Sequence, residues 1–336
     1  MDTAQQVRLL LSSPQKIVIT THQRPDGDAM GSSLGLLHFL KKENHEVSFI
    51  SPTDYPDFLK WMPGNETVII FENQVAKSTQ LIEQATVIFC LDFNKIQRLD
   101  ELGKLIEASA AKKILIDHHL DADDFVTYEF CDVKASSTCE LVYLFIMQME
   151  GQSFIDSKIA TCLYAGILTD TDRFRVPTTS PAVHRIVAEL MEHEIDHSAV
   201  YQELYETFSE NRLRFFGYAI REKLEVLRDL RLAVIALERE DINRFNLQFG
   251  DTEGLVNYPL WIKDVNVSAL ITLKQKEVKL SLRSKGNFSV EKICREHFNG
   301  GGHRNASGGT SPLSVRETRD KLISIFARLK SDLNSA

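Results

Sequence analysis

Carboxylates and imidazoles recur along the first half of the chain in a pattern that could hold metal ions. They are His22, Asp26 and Asp28 within His22-Gln23-Arg24-Pro25-Asp26-Gly27-Asp28, then Asp92, His118 within Asp117-His118-His119, and Asp170. This mixed hard and borderline donor set suits Mn²⁺ best and can accept Mg²⁺, Co²⁺ or Zn²⁺. It contains no thiolate, which disfavours a structural zinc site. Asp26-Gly27-Asp28 is read as a turn, where Gly27 permits a tight backbone and each carboxylate can face a different ion. With Asp92 bridging, His22, Asp26 and Asp92 serve one ion, and Asp28, Asp92, His118 and Asp170 the other. Two ions about 3.5–4 Å apart can activate a shared water and clamp a phosphoryl group. The expected chemistry is hydrolysis at phosphorus, with Asp92 and His119 as the catalytic pair.

His119 follows a ligand on a segment turning off its strand, so it either contacts the scissile phosphate or bonds a neighbouring carboxylate and orients the site. Far downstream, Gly300-Gly301-Gly302-His303-Arg304 is too glycine-rich for a helix interior, and its backbone can approach an anion closely. Gly301, Gly302, His303 and Arg304 are therefore candidate substrate contacts. Arg283, at a predicted strand end, is a candidate bidentate clamp for a terminal phosphate. Any one of these pieces alone reads as a solvated turn or a loop; their recurrence at successive element ends carries the functional reading. His38, His45, His184, His193, His197 and His297 lack acidic partners at ligand spacing and are read as structural or surface residues.

The elements that must position these residues follow from hydrophobic patterning. Short apolar runs predict strands over Lys16–Thr21, Glu46–Ser51, Thr86–Leu91, Lys113–Ile116 and Thr127–Cys131, alternating with helical patterns over Gly31–Lys42, Ser137–Glu150 and Ser157–Thr169. That alternation is the mark of an α/β fold with a doubly wound, mainly parallel sheet. The acidic clusters fall where the strands end, and open α/β sheets bind ligands at those carboxyl ends. Asp170 extends the apolar stripe Ile159, Leu163, Gly166 and Ile167, where a carboxylate is costly without a partner such as a cation. Predicted domains are 1–181 for metal binding, a helical linker over 182–210, and a smaller α/β domain over 211–336. In the last, strands are expected at Leu232–Leu237, Val265–Leu273 and Glu277–Leu282, and helices at Val290–His297 and Val315–Leu329.

Composition narrows the function classes. The 336 residues are 43% hydrophobic and 26% charged, as in a globular protein. A net charge of -8 argues against long nucleic acid as the primary ligand, which needs a basic face. Positive charge is nevertheless concentrated between Lys274 and Arg304, including Lys276, Lys279, Arg283 and Lys285, as a short anionic substrate would require. The 5 cysteines form no C-x-x-C pair and are read as reduced thiols. The start has no secretory pattern and no apolar run approaches a membrane span, so a cytoplasmic protein without a membrane partner is expected.

As a set, His22-Gln23-Arg24-Pro25-Asp26-Gly27-Asp28-Ala29, Leu91-Asp92, Asp117-His118-His119 and Leu168-Thr169-Asp170-Thr171 resemble the four motifs of the DHH phosphoesterase family. Ser281-Leu282-Arg283-Ser284 and Gly300-Gly301-Gly302-His303 are similar to its DHH-associated substrate-binding domain. The resemblance implies two divalent metal ions, a catalytic N-terminal domain and a substrate held against the C-terminal one. Within the family the compact layout looks most like nanoRNases, whose partners are short oligoribonucleotides and 3'-phosphoadenosine 5'-phosphate (pAp); a homodimer is compatible with it. The alternatives are a stand-alone pApA or cyclic di-AMP phosphodiesterase, and a catalytically silent nucleotide-binding regulator. RecJ-type exonucleases would carry a further oligonucleotide-binding domain, and family pyrophosphatases a C-terminal Ser-Arg-Lys-Lys-Gln signature that is absent here.

Overall fold

A computed structural model describes residues 2–120, 123–247, 250–274 and 277–329. Lys276, one of the basic residues noted above, lies outside them. The chain divides into two compact units, Met1–Thr207 and Phe208–Ala336.

In the first unit, helix α1 (Thr3–Leu11) precedes β1 (Lys16–Thr21), α2 (Gly27–Lys42), β2 (Glu46–Ser51) and β3 (Ile69–Ile70). Next come α3 (Val75–Gln84), β4 (Val87–Leu91), α4 (Glu101–Ala108), β5 (Lys112–Asp117) and β6 (Tyr128–Cys131). The unit ends with α5 (Thr138–Gln148), α6 (Ser157–Asp170), α7 (Pro181–Met191) and α8 (His197–Tyr205). All described strand pairs are parallel and the order is β3-β2-β1-β4-β5-β6. Apolar runs such as Ile17-Val18-Ile19 make buried strands because helices cover both faces. Ile17, Ile19, Phe89 and Ile116 pack with helices α2, α5 and α6, while Val18, Ile88 and Leu115 pack with Ile82, Leu102 and Ile106 on the other side. The strand order reverses between β1 and β4, which opens a crevice at their carboxyl ends.

Two expectations for this unit change. Helix α2 starts four residues earlier than its apolar periodicity suggests: Asp26 is its N-cap, accepting from the Asp28 and Ala29 N–H groups, so Gly27 lies in the helix and not in a turn. The segment read as a linker belongs to this unit, because Val183, Ile186, Leu190, Val200 and Leu204 are buried in its core.

Helices α2 and α6 cross at close range. A Cβ on Gly31 would stand 2.5 Å from the Cys162 carbonyl oxygen, and one on Gly166 2.1 Å from Cys139 Sγ and 3.1 Å from Asp28 Oδ1. Backbones this near bring the amino end of α2, with Asp28, beside the carboxyl end of α6, with Asp170.

The second unit contains α9 (Glu210–Tyr218), β7 (Leu224–Leu227), β8 (Leu232–Leu237), α10 (Arg239–Arg244), β9 (Val267–Lys274) and β10 (Glu277–Ser284). It continues with α11 (Val290–His297), β11 (Gly301–His303), β12 (Ala306–Ser311) and α12 (Val315–Arg328). Its sheet runs β11-β12-β10-β9-β8-β7, with β8 and β9 parallel and the other described pairs antiparallel. Val278, Leu280 and Leu282 of β10 pack on Ile293, Leu322 and Phe326 of the two covering helices. The glycine segment read as a loop is instead an edge strand, since Gly301, Gly302 and His303 pair with Gly308, Ser307 and Ala306. Small residues suit it: a Cβ on Gly300 would meet the Gly308 carbonyl oxygen at 2.0 Å. No helix among the described residues is long and apolar enough to cross a membrane.

Candidate metal centre

Every candidate ligand of the first unit stands just past a strand or at a helix end. His22 follows β1, Asp92 follows β4 and His118 follows β5, while Asp26 and Asp28 open α2 and Asp170 closes α6. Asp92 has a left-handed backbone, φ 61°, unusual for a residue with a side chain, and its N–H donates to the Ile116 carbonyl at 3.2 Å. That conformation turns its carboxylate into the crevice at the strand-order reversal.

The side chains form three groups that share Asp92. Possible ligand atoms of His22, Asp26 and Asp92 lie within 4.8 Å of one another, as do those of Asp28, Asp92 and His118, and those of Asp92, Asp117 and His119. His22 Nε2 is 3.4 Å from Asp92 Oδ2 and 4.0 Å from Asp26 Oδ1. His118 Nε2 is 3.6 Å from Asp92 Oδ1, 3.5 Å from Asp170 Oδ2 and 3.8 Å from Asp28 Oδ2. Asp28, Asp92 and His118 are buried, whereas the Asp26 side chain is 59% exposed.

Such a cluster is electrostatically short of positive charge. Burial, together with the charges of Asp92 and Asp170, pushes the Asp28 carboxyl well above its ordinary range. Burial would also raise Asp92, but hydrogen bonding to His118 and His22 outweighs it and holds that carboxyl well below. Burial would lower His118, yet bonding to Asp92 and the charges of Asp170 and Asp28 push it up to about 11. Protons on His118 and His22 are thus the counter-charge that the donor set itself can supply. A divalent cation supplies more, with carboxylate and imidazole donors already gathered around it, so the residues fit divalent metal ions.

The carboxylates are also held from behind. Ser137 caps α5, accepting from the Glu140 N–H at 3.0 Å. The freed amides at that helix start donate to Asp28: Thr138 N–H to Oδ2 at 2.6 Å and Cys139 N–H to Oδ1 at 2.9 Å. The Thr138 hydroxyl donates to Asp92 Oδ1 at 3.0 Å. A carboxylate oxygen has two lone pairs, so these bonds orient Asp28 and leave it able to ligate. His119 Nδ1 bonds Asp117 Oδ1 at 2.7 Å, and the other Asp117 oxygen is buried without a hydrogen-bond partner among the described residues.

Residues 16–167 match the DHH family, N-terminal domain, and residues 231–331 match the DHHA1 domain. The probable bifunctional oligoribonuclease and PAP phosphatase NrnA of Streptococcus mutans is 31% identical over 94% of this chain and 94% of its own. The chain belongs to the DHH family. The bifunctional oligoribonuclease and PAP phosphatase NrnA of Bacillus subtilis is 27% identical over 88% of each chain. The DHH fold is shared with the crystal structure of an exopolyphosphatase-related protein from Bacteroides fragilis, at a TM-score of 0.95 and 39% identity, covering 99% of this chain and 97% of that one.

In the DHHA1 unit, register places the second set of candidates. Arg283 pairs with Ala306 on β12, and Ala306 pairs with His303 on β11. Directly opposed residues of antiparallel strands project to the same face, so Arg283 and His303 flank the small Ala306 side chain. Gly301, Ser281 and Gly308 form the next row on that face, and a Cβ on Gly301 would meet nothing within 4 Å among the described residues. Arg304 is exposed in the hairpin turn, and Gly302 points its backbone toward β12 with φ 138°.

Sequence reasoning about the DHH unit missed Ser137 and Thr138, although Ser137 has the signature of an N-cap ahead of an apolar helix. It also missed Arg98, on the short turn after β4, whose Nη1 lies 3.2 Å from His119 Nε2. The Arg98 carbonyl accepts from the Gln23 N–H at 2.9 Å, tying this turn to the His22 loop.

Proposed function

We propose that this chain is a Mn²⁺-dependent phosphohydrolase that degrades short oligoribonucleotides to mononucleotides and releases phosphate from pAp to give AMP. The observation that carries the reading is the sharing of one buried carboxylate, Asp92, by the His22–Asp26 and Asp28–His118 groups. His22, Asp26 and Asp92 would hold one ion, and Asp28, Asp92, His118 and Asp170 a second. When bound, such a pair supplies Lewis acidity toward the phosphoryl oxygens and lowers the pKa of water. The chain's own residues do the rest. The α5 amides and Thr138 fix the directions of Asp28 and Asp92. Asp117 orients His119 beside Asp92. Arg283 offers a forked donor suited to a terminal phosphate, and His303 with the Gly301–Gly302 backbone completes that shelf. The names of the S. mutans and B. subtilis relatives support the substrate class.

The test is a side-by-side assay with Mn²⁺ offering pAp, pApA, cyclic di-AMP, a short RNA, a long single strand, pyrophosphate and polyphosphate. Highest kcat/KM on pAp and the short RNA is expected. Preference for a long strand, pyrophosphate or polyphosphate would overturn the reading, and preference for cyclic di-AMP would favour the phosphodiesterase alternative.

A further inference from the structure

Arg98 brings a permanent positive charge to the centre, and the hydrogen bonds of His119 define what that charge faces. His119 Nδ1 bonds Asp117 Oδ1 at 2.7 Å, and Arg98 Nη1 approaches His119 Nε2 at 3.2 Å. A guanidinium is donor-only and an ionised carboxylate acceptor-only. One imidazole tautomer satisfies both: the proton sits on Nδ1, donated to Asp117, and Nε2 accepts from Arg98. In that tautomer His119 has no N–H to offer a phosphoryl oxygen. Arg98 does, because its planar fork carries five N–H donors and can hold His119 with one while directing another elsewhere.

The turn that carries Arg98 is well anchored. It spans Ile96–Leu99, shortly after Asp92; Ile96 and Leu99 on either side of Arg98 are buried, and the Arg98 backbone carbonyl is bonded by Gln23 next to His22. Arg98 itself is half-buried, so its charge is partly shielded from water yet open to a ligand. His119 Nδ1 is in turn 3.7 Å from Asp92 Oδ1, which sets the guanidinium one imidazole width from the shared carboxylate.

We infer that Arg98 is a catalytic residue that bonds the scissile phosphoryl group, and that His119 is a positioning residue that holds Arg98 in place; this rests on the phosphohydrolase reading above. In the hydrolysis, water oxygen forms a bond to phosphorus as the P–O bond to the leaving oxygen breaks. One water proton is lost to solvent and the leaving oxygen takes up another. Arg98 transfers no proton; it stabilises the negative charge that grows on the non-bridging oxygens.

Steady-state kinetics on pAp with Mn²⁺, for wild type, R98A and R98K, with Mn²⁺ binding followed by calorimetry, tests the assignment. R98A is expected to lower kcat about 10²–10³-fold, the size found on removing one preorganised donor to a developing oxyanion. Mn²⁺ affinity should be unchanged, R98K should recover only part of the loss because an ammonium lacks the fork, and added guanidinium ion should raise the turnover of R98A but not of wild type. Wild-type kcat in R98A, a loss that guanidinium does not relieve, or a loss accompanied by weakened Mn²⁺ binding would overturn the assignment alone. A wild-type protein that turns over neither pAp nor short RNA would instead overturn the phosphohydrolase reading, and the role of Arg98 with it.

Discussion

Asp117 shows how a residue that belongs to the family signature can act through its neighbours. Its Oδ1 accepts from His119, and its Oδ2 is buried with no hydrogen-bond partner among the described residues, so the carboxylate sits in a place that returns little stability. Such a group is expected where orientation of an imidazole matters more than burial cost. Asp117→Asn keeps the shape and an acceptor but removes the charge. It should lower kcat/KM about 10–100-fold, as carboxylates that orient imidazoles in metal centres do, while the thermal midpoint stays unchanged or rises. An equal loss of both activity and thermal stability would mean that Asp117 serves the fold and not the site. At this scale the candidate donor types were legible in the sequence, because carboxylates and imidazoles recur at the ends of predicted elements. Arg98 was not: Lys95 and Arg98 sit on the same turn after β4, and nothing in their spacing says which one meets His119.

Elements deliver these residues, and the tightest delivery is the α2–α6 crossing. Gly31 and Gly166 allow the backbones to touch, and the Gly166 position faces both Cys139 Sγ and the Asp28 carboxylate. Gly166→Ala should cost about 1–3 kcal/mol, the usual penalty of overpacking, and should reduce activity by displacing Asp28. Pairing it with Cys139→Ala, which removes the atom 2.1 Å away, should recover part of the stability; a strictly additive double mutant in thermal or urea unfolding would contradict the packing account. Strands β1, β2 and β8 and helix α11 have the limits expected from patterning, since each is an apolar or alternating run or a capped amphipathic segment. The early start of α2 escaped because residues 27–30 carry no helical apolar period: the Asp26 cap and the close approach to α6 decide it. Strand β11 escaped because glycines have low strand propensity, and it is its pairing with β12 that makes it a strand.

For the whole molecule, charge separates the proposed substrates from longer ones. With a net charge of -8, attraction of the proposed substrate would have to come from local basic groups, for which Arg98 and Arg283 are proposed. A substrate gripped at about two phosphates should show a shallow salt dependence, with a slope of log affinity against log salt of roughly -1.4 for single strands. Measuring KM for a short RNA from low to high salt checks this, and a slope several times steeper would reveal a basic track. The two units each carry their own core, with Phe39, Phe89 and Phe145 in the first and Phe298 and Phe326 in the second. The sequence by itself determined the α/β class, the alternation of the main strands and helices, and the chemistry of the donor set, because periodicity and residue type are local properties. Only the tertiary structure decided that Asp92 turns into the crevice through a left-handed backbone, that the α5 amides clamp Asp28, and that Arg98 meets His119. The physical reason is that every residue except proline has a backbone N–H and many have charge, so which of them converge depends on how the chain crosses itself in space.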